Sequence, residues 1–372
     1  MAVSRLDPSD FPAFDDDFDT TSLHTATLQS FAYYENLPPA QLFVLGQDSY
    51  TARDMAESMA AFANLLESSS SNADWLSKLR DIFTVYQSVG TDPEKTVIFS
   101  SYYEPLVPAR LAKDAVYRFP MYARPPDLVD VDLGLFDPAW QGARIAGRRE
   151  GQALVPYATR ADIDSNHALA QQGLEIAWGK DPFDILDLQI EGSGWLDVGK
   201  GQLLRIRYDG NNGRRFKSVG QNLIATGRIP AKKFSRQALR HYLASHPAER
   251  QKFLNVNERY IFFRIDTSTA GVYAYGNIDE PLTPGRSIAT DPKLFPKGVL
   301  AWIDTTQAVV DHKDKVKGKK PLKRFMLSQD EGGAIQGPGR VDFFAGHGPD
   351  AAHFATHMWN KGKLYFLVKK KS

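Results

Sequence analysis

The chain has 372 residues, and its 45 lysines and arginines nearly balance its 44 aspartates and glutamates. Such a balance argues against a nucleic-acid-binding surface, and no run of the sequence approaches the roughly 18 apolar residues of a membrane span. Because there is no cysteine, disulfides, thiolate catalysis and cysteine-ligated metal sites are excluded.

The N-terminal part predicts an entry segment followed by two helices. A chain of this length is long for one hydrophobic core, so two domains are expected. Residues 1–50 are acidic and irregular, and we expect them to lie over the surface. The first helix follows Thr51 as its cap, and the second follows Asn72 or Asp74. Their apolar stripes at helical spacing are Met55, Met59, Phe62 and Leu66, then Trp75, Leu79, Ile82 and Tyr86.

After these helices the sequence changes to the pattern of strands. Residues 97–99 are apolar and lead into Ser100-Ser-Tyr-Tyr-Glu-Pro105, an aromatic strand end. A turn is expected at Gly192-Ser-Gly194. The other predicted elements of this region are a helix over residues 164–179, a strand over 184–190, a hairpin of 203–208 with 216–219, and helices over 235–243 and 248–254.

The last third of the chain has the pattern of short strands with one late helix. This pattern favours a closed or nearly closed barrel. Residues 313–324 are strongly basic, and we expect a solvated loop there. The predicted strands are residues 260–263, 271–275, 299–303, 324–327, 341–344 and 364–368.

A glycine-rich loop with a carboxylate at either end lies within this region. Asp330 precedes Gly332 and Gly333, and Asp342 follows Gly337-Pro-Gly339 between apolar neighbours. Short strands joined by such a loop hold acids on rigid ends, as a catalytic site requires. A glycine-rich hairpin with turn aspartates explains the same pattern.

Aromatic and polar side chains near presumed strand ends favour carbohydrate as the ligand. Sugar rings have apolar faces and hydroxyl rims, so their sites combine stacking aromatics with hydrogen-bonding groups. The candidates are Tyr102, Tyr103, Tyr157, Trp195, Gln189, Glu191 and Ser193. His353 and His357 have a zinc-chelating spacing, but the adjacent glutamate and a third ligand are missing, so a surface helix is the better interpretation.

Five motifs in fixed order resemble the membrane-bound lytic murein transglycosylase A family. The last of them resembles the three-aspartate "3D" module of that family. The motifs are Ser101-Tyr-Tyr-Glu-Pro105, Asp187-Leu-Gln-Ile-Glu-Gly-Ser-Gly194, Lys217-Ser-Val-Gly-Gln221, Asn257-Glu-Arg-Tyr-Ile-Phe-Phe263 and Gln329-Asp-Glu-Gly-Gly-Ala-Ile-Gln-Gly-Pro-Gly-Arg-Val-Asp-Phe-Phe344.

The resemblance implies a mainly β fold with a few helices and two domains. A double-psi β-barrel domain would comprise residues 1–103 and 264–372, with the helix pair and the 3D module. A smaller β-rich substrate-binding domain, residues 104–263, would be inserted into it. A groove between the domains would hold a peptidoglycan glycan strand.

The activity that the resemblance implies is cleavage of the β-1,4 bond between N-acetylmuramic acid and N-acetylglucosamine, without a cofactor or a metal. It leaves 1,6-anhydromuramoyl ends. Asp342 matches the catalytic acid, Asp330 the loop aspartate before it, and Asp304 is the candidate for the first of the three. The substrate-binding candidates are Tyr102, Tyr103, Gln189, Glu191, Gly192, Ser193 and Gly194.

Two other functions remain open from the sequence. Asp342 and Asp330 could form the acid pair of a hydrolytic muramidase, or the barrel could bind wall glycan without cutting it. Family members are anchored in the outer membrane by a lipidated cysteine. This chain has neither cysteine nor signal region, so we expect a trimmed form of a periplasmic protein, with other wall enzymes open as partners.

Overall fold

The computed structural model describes residues 1–68, 72–140, 142–267, 274–311 and 316–371. The strands are β1 (Val3–Arg5), β2 (Leu42–Leu45), β3 (Asp48–Thr51), β4 (Phe83–Ser88), β5 (Val97–Glu104), β6 (Leu106–Arg110), β7 (Phe119–Tyr122), β8 (Leu128–Asp132), β9 (Arg144–Glu150), β10 (Ala153–Pro156), β11 (Glu175–Gly179), β12 (Ser193–Gly199), β13 (Gln202–Asn211), β14 (Ile261–Ile265), β15 (Ser287–Ala289), β16 (Leu300–Val310), β17 (Val316–Asp330), β18 (Arg340–His347) and β19 (Trp359–Lys369). The helices are α1 (Thr20–Glu35), α2 (Ala52–Ser68), α3 (Asn72–Ile82), α4 (Pro182–Glu191), α5 (Val219–Ala225), α6 (Arg236–Ser245), α7 (Pro247–Leu254) and α8 (Gly348–His357).

The chain divides into two compact units. The first comprises Met1–Tyr103 and Ala270–Ser372, and the second comprises Glu104–Thr269. The groove expected between two domains stays a prediction.

The first unit is built on a closed barrel of six strands. Neighbours around the ring follow the order β19, β16, β17, β15, β18 and β5, and β5 pairs with β19 to close it. Strands β4 and β1 extend this sheet from β19. The barrel and the predominance of strands confirm the predicted mainly β fold class.

The core of the first unit joins the barrel interior to the helices. Met55, Met59 and Phe62 of α2 are fully buried against barrel residues such as Phe325 and Leu327. The helical stripe predicted for the first helix therefore forms core. The second stripe is only partly right, because the helix ends at Ile82 and Tyr86 lies in β4.

The entry segment is more ordered than predicted. Residues 1–50 contain α1 and the β2–β3 hairpin, so their predicted irregularity is wrong. The guanidinium of Arg286, which is fully buried, donates hydrogen bonds of 2.6 and 2.8 Å to the carboxylate of Asp16. The Arg324 Nε atom donates to Asp17 at 2.5 Å. Asp16 and Asp17 therefore compensate the charges of two buried arginines in the first unit.

The basic segment predicted as a loop is also strand. Residues 316–321 are exposed, but they continue β17 and pair with β16, with one irregularity at Val309 and Val310, so the loop prediction is wrong there. Residues 312–315 lie outside the described part of the chain, as do residues 271–273 of the predicted strand 271–275.

The second unit contains a six-stranded sheet, a three-stranded sheet and four α-helices among its described residues. The order of the larger sheet is β14, β13, β12, β6, β11 and β7. The predicted helices near residues 235–243 and 248–254 are confirmed as α6 and α7.

Three other predictions for this unit are wrong. Residues 184–190 lie in helix α4, because Asp181 accepts a hydrogen bond of 2.9 Å from the Phe183 backbone N–H and Pro182 occupies the first helical position. The hairpin predicted for residues 203–208 and 216–219 does not form, because β13 pairs with β12 and β14 instead. The expected helix over 164–179 is a short π-helix (Ala161–Ser165) followed by β11.

Candidate active site

Asp330 and Asp342 lie on two strands that flank β15. Ala289 at the end of β15 pairs with Asp330 in the parallel direction and with Asp342 in the antiparallel direction. Neighbouring strands are about 4.8 Å apart, so the two aspartate backbones are about 10 Å apart. The barrel register, rather than the glycine loop alone, therefore sets the spacing of the two acids.

Asp342 points away from the barrel core. Its neighbours Val341 and Phe343 are buried in the core of the first unit, and successive strand residues project to opposite faces. On β5, Phe99 is in the same core, so Ser100 projects to the outer face. The outer face thus collects the polar side chains of both strands.

The carboxylate of Asp342 is held on one side. Ser100 Oγ donates a hydrogen bond of 2.6 Å to Asp342 Oδ1, and Arg340 Nη2 donates one of 2.9 Å to Ser100 Oγ. Burial raises the pKa of Asp342, while the Ser100 hydrogen bond and the Arg340 charge offset part of that increase. Within the described part of the chain, Asp342 Oδ2 accepts no hydrogen bond. That oxygen can carry a transferable proton.

Asp330 differs because both of its oxygens accept hydrogen bonds. Tyr102 Oη donates to Asp330 Oδ2 at 2.5 Å, and the backbone N–H of Glu331 donates to Oδ1 at 2.9 Å. Burial raises the pKa of Asp330 to about 6, and the charge of Asp342 contributes to the increase. Tyr102 itself packs against Phe344, with ring centroids 5.2 Å apart.

The glycine loop between the two acids is fixed by residues outside it. Asp291 Oδ2 accepts a hydrogen bond of 2.8 Å from the Gly337 backbone N–H, and Ser88 Oγ donates one of 2.6 Å to the Pro338 carbonyl. A Cβ at Gly339 would lie 2.2 Å from Thr91 Cγ2, so only glycine fits there. The loop is thus anchored rather than loose.

Asp304 does not join the two acids. It lies on β16 opposite Lys323 and Lys363, and its half-exposed side chain is 3.9 Å from Lys323 Nζ. Lys323 precedes Asp330 by seven residues on β17, which corresponds to about 23 Å along a strand. Asp291 is the aspartate that contacts the loop. Sequence reasoning missed it, although the Asp291-Pro292 turn signal follows the end of β15 by one residue.

Ser100 and Arg340 were also missed. Each lies within a quoted motif or beside one, but neither residue type signals catalysis by itself. Strand alternation places Arg340, two residues before Asp342 in β18, on the same face, and the strand pairing brings Ser100 to Asp342.

The binding candidates of the second unit form a helix–turn–strand element. Gly192 ends α4 with a left-handed φ of 84°, and Ser193 begins β12. A Cβ at Gly194 would lie 2.4 Å from Leu188 Cδ1 and 2.7 Å from the Pro105 carbonyl oxygen. The left-handed backbone explains Gly192, and close packing explains Gly194, so neither glycine requires a ligand.

The polar candidates of the same element have intramolecular partners. The buried Gln189 donates to the Ile261 carbonyl at 3.2 Å, and Glu191 accepts from Arg236 at 2.8 Å. Their substrate-binding role, like that of Tyr103, stays a prediction. Of the other aromatics, Tyr157 is buried and donates to Asp127 at 2.8 Å, and Arg205 lies over the Trp195 ring at 5.8 Å.

His353 and His357 lie on α8, as the surface-helix interpretation expects. Across the described ranges, no three histidine, aspartate or glutamate side chains cluster as a metal site would require. Over the same ranges, no helix is both long and apolar enough to cross a membrane.

Two family models match the chain. Residues 98–264 match the "MltA specific insert domain", and residues 286–368 match the "3D domain". These two matches confirm the predicted resemblance to the membrane-bound lytic murein transglycosylase A family. The predicted enzyme class, a peptidoglycan lytic transglycosylase, is thereby confirmed at the level of the family.

Individual members of this family align over most of the chain. Membrane-bound lytic murein transglycosylase A of Escherichia coli K12 is 28% identical over 284 residues, which are 76% of this chain and 68% of the relative. The crystal structure of the membrane-bound lytic murein transglycosylase from Agrobacterium tumefaciens has a TM-score of 0.78 at 27% identity and covers 99% of this chain and 98% of its own. E. coli MltA with bound chitohexaose shares the fold, with a TM-score of 0.71 at 24% identity over 94% and 90% of the two chains.

Proposed function

We propose that this protein cleaves the β-1,4 bond between N-acetylmuramic acid and N-acetylglucosamine in peptidoglycan and leaves 1,6-anhydromuramoyl ends. In this proposal Asp342 is the single acid and then the base. The observation that carries it is the asymmetric environment of Asp342, in which Ser100 holds one carboxylate oxygen and the other is left to act.

In the first step the protonated Asp342 would donate its proton to the bridging oxygen as the N-acetylglucosamine leaves. A general acid must be protonated near the working pH, and the raised pKa of Asp342 supports that state. As the carboxylate forms, the hydrogen bond from Ser100 and the nearby charge of Arg340 stabilise it. These two groups thus favour the proton-transferred state.

In the second step the Asp342 carboxylate would remove the proton from the C6 hydroxyl of the muramoyl residue. The C6 oxygen then attacks C1, and a 1,6-anhydro ring closes. The proton that Asp342 gave to the leaving oxygen is replaced, so the enzyme returns to its starting state and no water is consumed. An ordinary glycosidase needs a second carboxylate for a nucleophile or for activating water, whereas this substrate supplies its own oxygen.

Asp330 has a supporting role in this mechanism. Both of its oxygens are occupied by Tyr102 and Glu331, which leaves it poorly suited to activating a water. When ionised, its charge acts on Asp342 and favours the protonated form of that acid.

The substrate and its location are inferred from relatives. The solved E. coli MltA carries chitohexaose, which supports a glycan strand as the ligand here. The relatives are named membrane-bound murein enzymes, so we place this protein at the peptidoglycan of the periplasm, with outer-membrane anchoring as part of the proposal.

Mass spectrometry of purified sacculi digested in ¹⁸O-labelled water tests the reaction. The proposal expects 1,6-anhydromuramoyl ends without label. Reducing ends that carry ¹⁸O would indicate a hydrolytic muramidase instead. Sacculus binding without any soluble product would indicate a glycan-binding protein, and either result would overturn the proposal.

A further inference from the structure

We propose that Trp359 and Arg340 form a stacking subsite for a saccharide ring of the glycan strand, on the same barrel face as Asp342. This inference rests on the proposed function and adds a substrate-binding residue to it. The ligand class is a β-1,4-linked chain of N-acetylated hexosamines.

The register of β19 places Trp359 beside the acid. Trp359 pairs directly with Ser100 of β5, and side chains opposite each other in a strand pair project to the same face. Because Ser100 Oγ contacts Asp342, the indole of Trp359 and the carboxyl of Asp342 project from the same side of the barrel. The next residue, Asn360, is buried, as strand alternation requires.

Arg340 joins the indole to the acid. Its guanidinium carbon lies 4.9 Å from the centroid of the Trp359 ring, and its Nη2 donates to Ser100 Oγ at 2.9 Å. Guanidinium stacking of this kind fixes an aromatic ring in one orientation. The ring is therefore oriented in advance, which lowers the entropic cost of stacking a ligand on it.

The indole remains available to a ligand. Trp359 keeps 68% of its surface exposed although one side lies against Arg340. A single exposed tryptophan is common on protein surfaces and by itself indicates nothing. What distinguishes Trp359 is the continuous set of contacts through Arg340 and Ser100 to a carboxyl with a free oxygen. An apolar ring face with polar groups at its rim is what a pyranose requires.

Calorimetric titration tests the subsite with cleavage switched off. The host protein is Asp342→Asn, and the probe is a peptide-free tetrasaccharide of alternating N-acetylglucosamine and N-acetylmuramic acid. Adding Trp359→Ala is expected to weaken binding roughly 10-fold or more, as loss of an aromatic anchor does. Trp359→Phe keeps a smaller ring and should lose less.

Leu42→Ala in the same host is the control, because Leu42 is also an exposed apolar residue, at 66%, but lies in the β2–β3 sheet outside the barrel. It should leave the affinity unchanged. In the cleaving enzyme, Trp359→Ala should raise KM, and circular dichroism should show an unchanged fold.

Two failures can be told apart. If the tetrasaccharide binds equally well with and without Trp359→Ala, the stacking subsite is wrong even when the wild type makes anhydro products. If the wild type makes no anhydro products but Trp359→Ala still weakens glycan binding, the reaction is wrong and the subsite stands. Weakening only with peptide-bearing fragments would assign Trp359 to the stem peptide and overturn the inference.

Discussion

Asp330 and Asp342 are both in register with Ala289, one on each side of the short strand β15. Equivalent positions in the sheet do not make them chemically equivalent. Asp330 accepts hydrogen bonds at both oxygens, whereas Asp342 accepts one, from Ser100. A mechanism with one acid follows from this difference.

Removal of the Ser100 hydroxyl should change the pH dependence of cleavage. The acid must be protonated, so kcat/KM falls as pH rises through the pKa of Asp342. The Ser100 hydrogen bond lowers that pKa, so Ser100→Ala should move this fall to higher pH. It should also reduce the rate at low pH roughly 10-fold, because the carboxyl loses its fixed orientation.

Ser100→Thr should restore the wild-type profile, since it keeps a hydroxyl. Ser101→Ala is the neighbouring control, because Ser101 donates to the Phe343 carbonyl and not to Asp342. An unchanged pH profile in Ser100→Ala would contradict the positioning role.

The stability of the protein should depend on pH through Asp330. Burial raises its pKa from 3.8 to about 6, so the protonated carboxyl favours the folded state. This contribution is complete below the unfolded value of 3.8 and is lost as pH rises through about 6. The difference corresponds to about 3 kcal/mol at most.

Asp330→Asn removes this titration while keeping an oxygen that can accept from Tyr102. The free energy of unfolding, measured with denaturant across this pH range, should fall more steeply with pH in the wild type than in the variant. Parallel curves for the two proteins would show that Asp330 has an ordinary pKa in the folded state.

The glycine loop should tolerate alanine at one position and not at another. Gly339→Ala would bring a Cβ within 2.2 Å of Thr91 Cγ2, whereas Gly333 has no atom within 4 Å of its ideal Cβ. We expect Gly339→Ala to lose about 1–3 kcal/mol of unfolding free energy from overpacking. Gly333→Ala should be close to neutral. Equal stabilities of the two variants would mean that the loop is not anchored at Gly339.

The acidic entry segment should contribute strongly to stability. Asp16→Ala would leave the buried Arg286 without its carboxylate partner, and such a loss typically costs about 3–5 kcal/mol. The exposed Asp10 provides the control, because Asp10→Ala should change stability by less than about 0.5 kcal/mol. A small effect of Asp16→Ala in thermal and denaturant unfolding would place the source of stability elsewhere.

The sequence was most informative where local pattern and tertiary structure agree. The sequence around Asp342 indicates a strand with one polar residue between the apolar Val341 and Phe343. The structure confirms this strand as β18. A strand was predicted for residues 184–190 because their polar and apolar residues nearly alternate. The signal that determines the structure is the Asp181-Pro182 start of a helix. Weighing the cap above the alternation would have given the helix.

Long-range pairing could not be predicted from local pattern. Ser100 and Asp342 are 242 residues apart in the chain, and Asp16 and Arg286 are 270 apart. Nothing in either neighbourhood specifies its partner, because barrel closure determines both contacts. For the same reason Asp304 was the candidate for the first of the three aspartates, and Asp291, which contacts the glycine loop, was missed.

The rate of 1,6-anhydromuramoyl formation in Asp342→Asn and Asp330→Asn tests the central claim most directly. Mass spectrometry of sacculus digests should show Asp342→Asn slowed by about 10²–10⁴-fold, the usual contribution of general acid–base catalysis. Asp330→Asn should retain most of the activity, and both variants should fold. Wild-type rates in Asp342→Asn, or equal losses in the two variants, would contradict a mechanism in which Asp342 alone is the acid and the base.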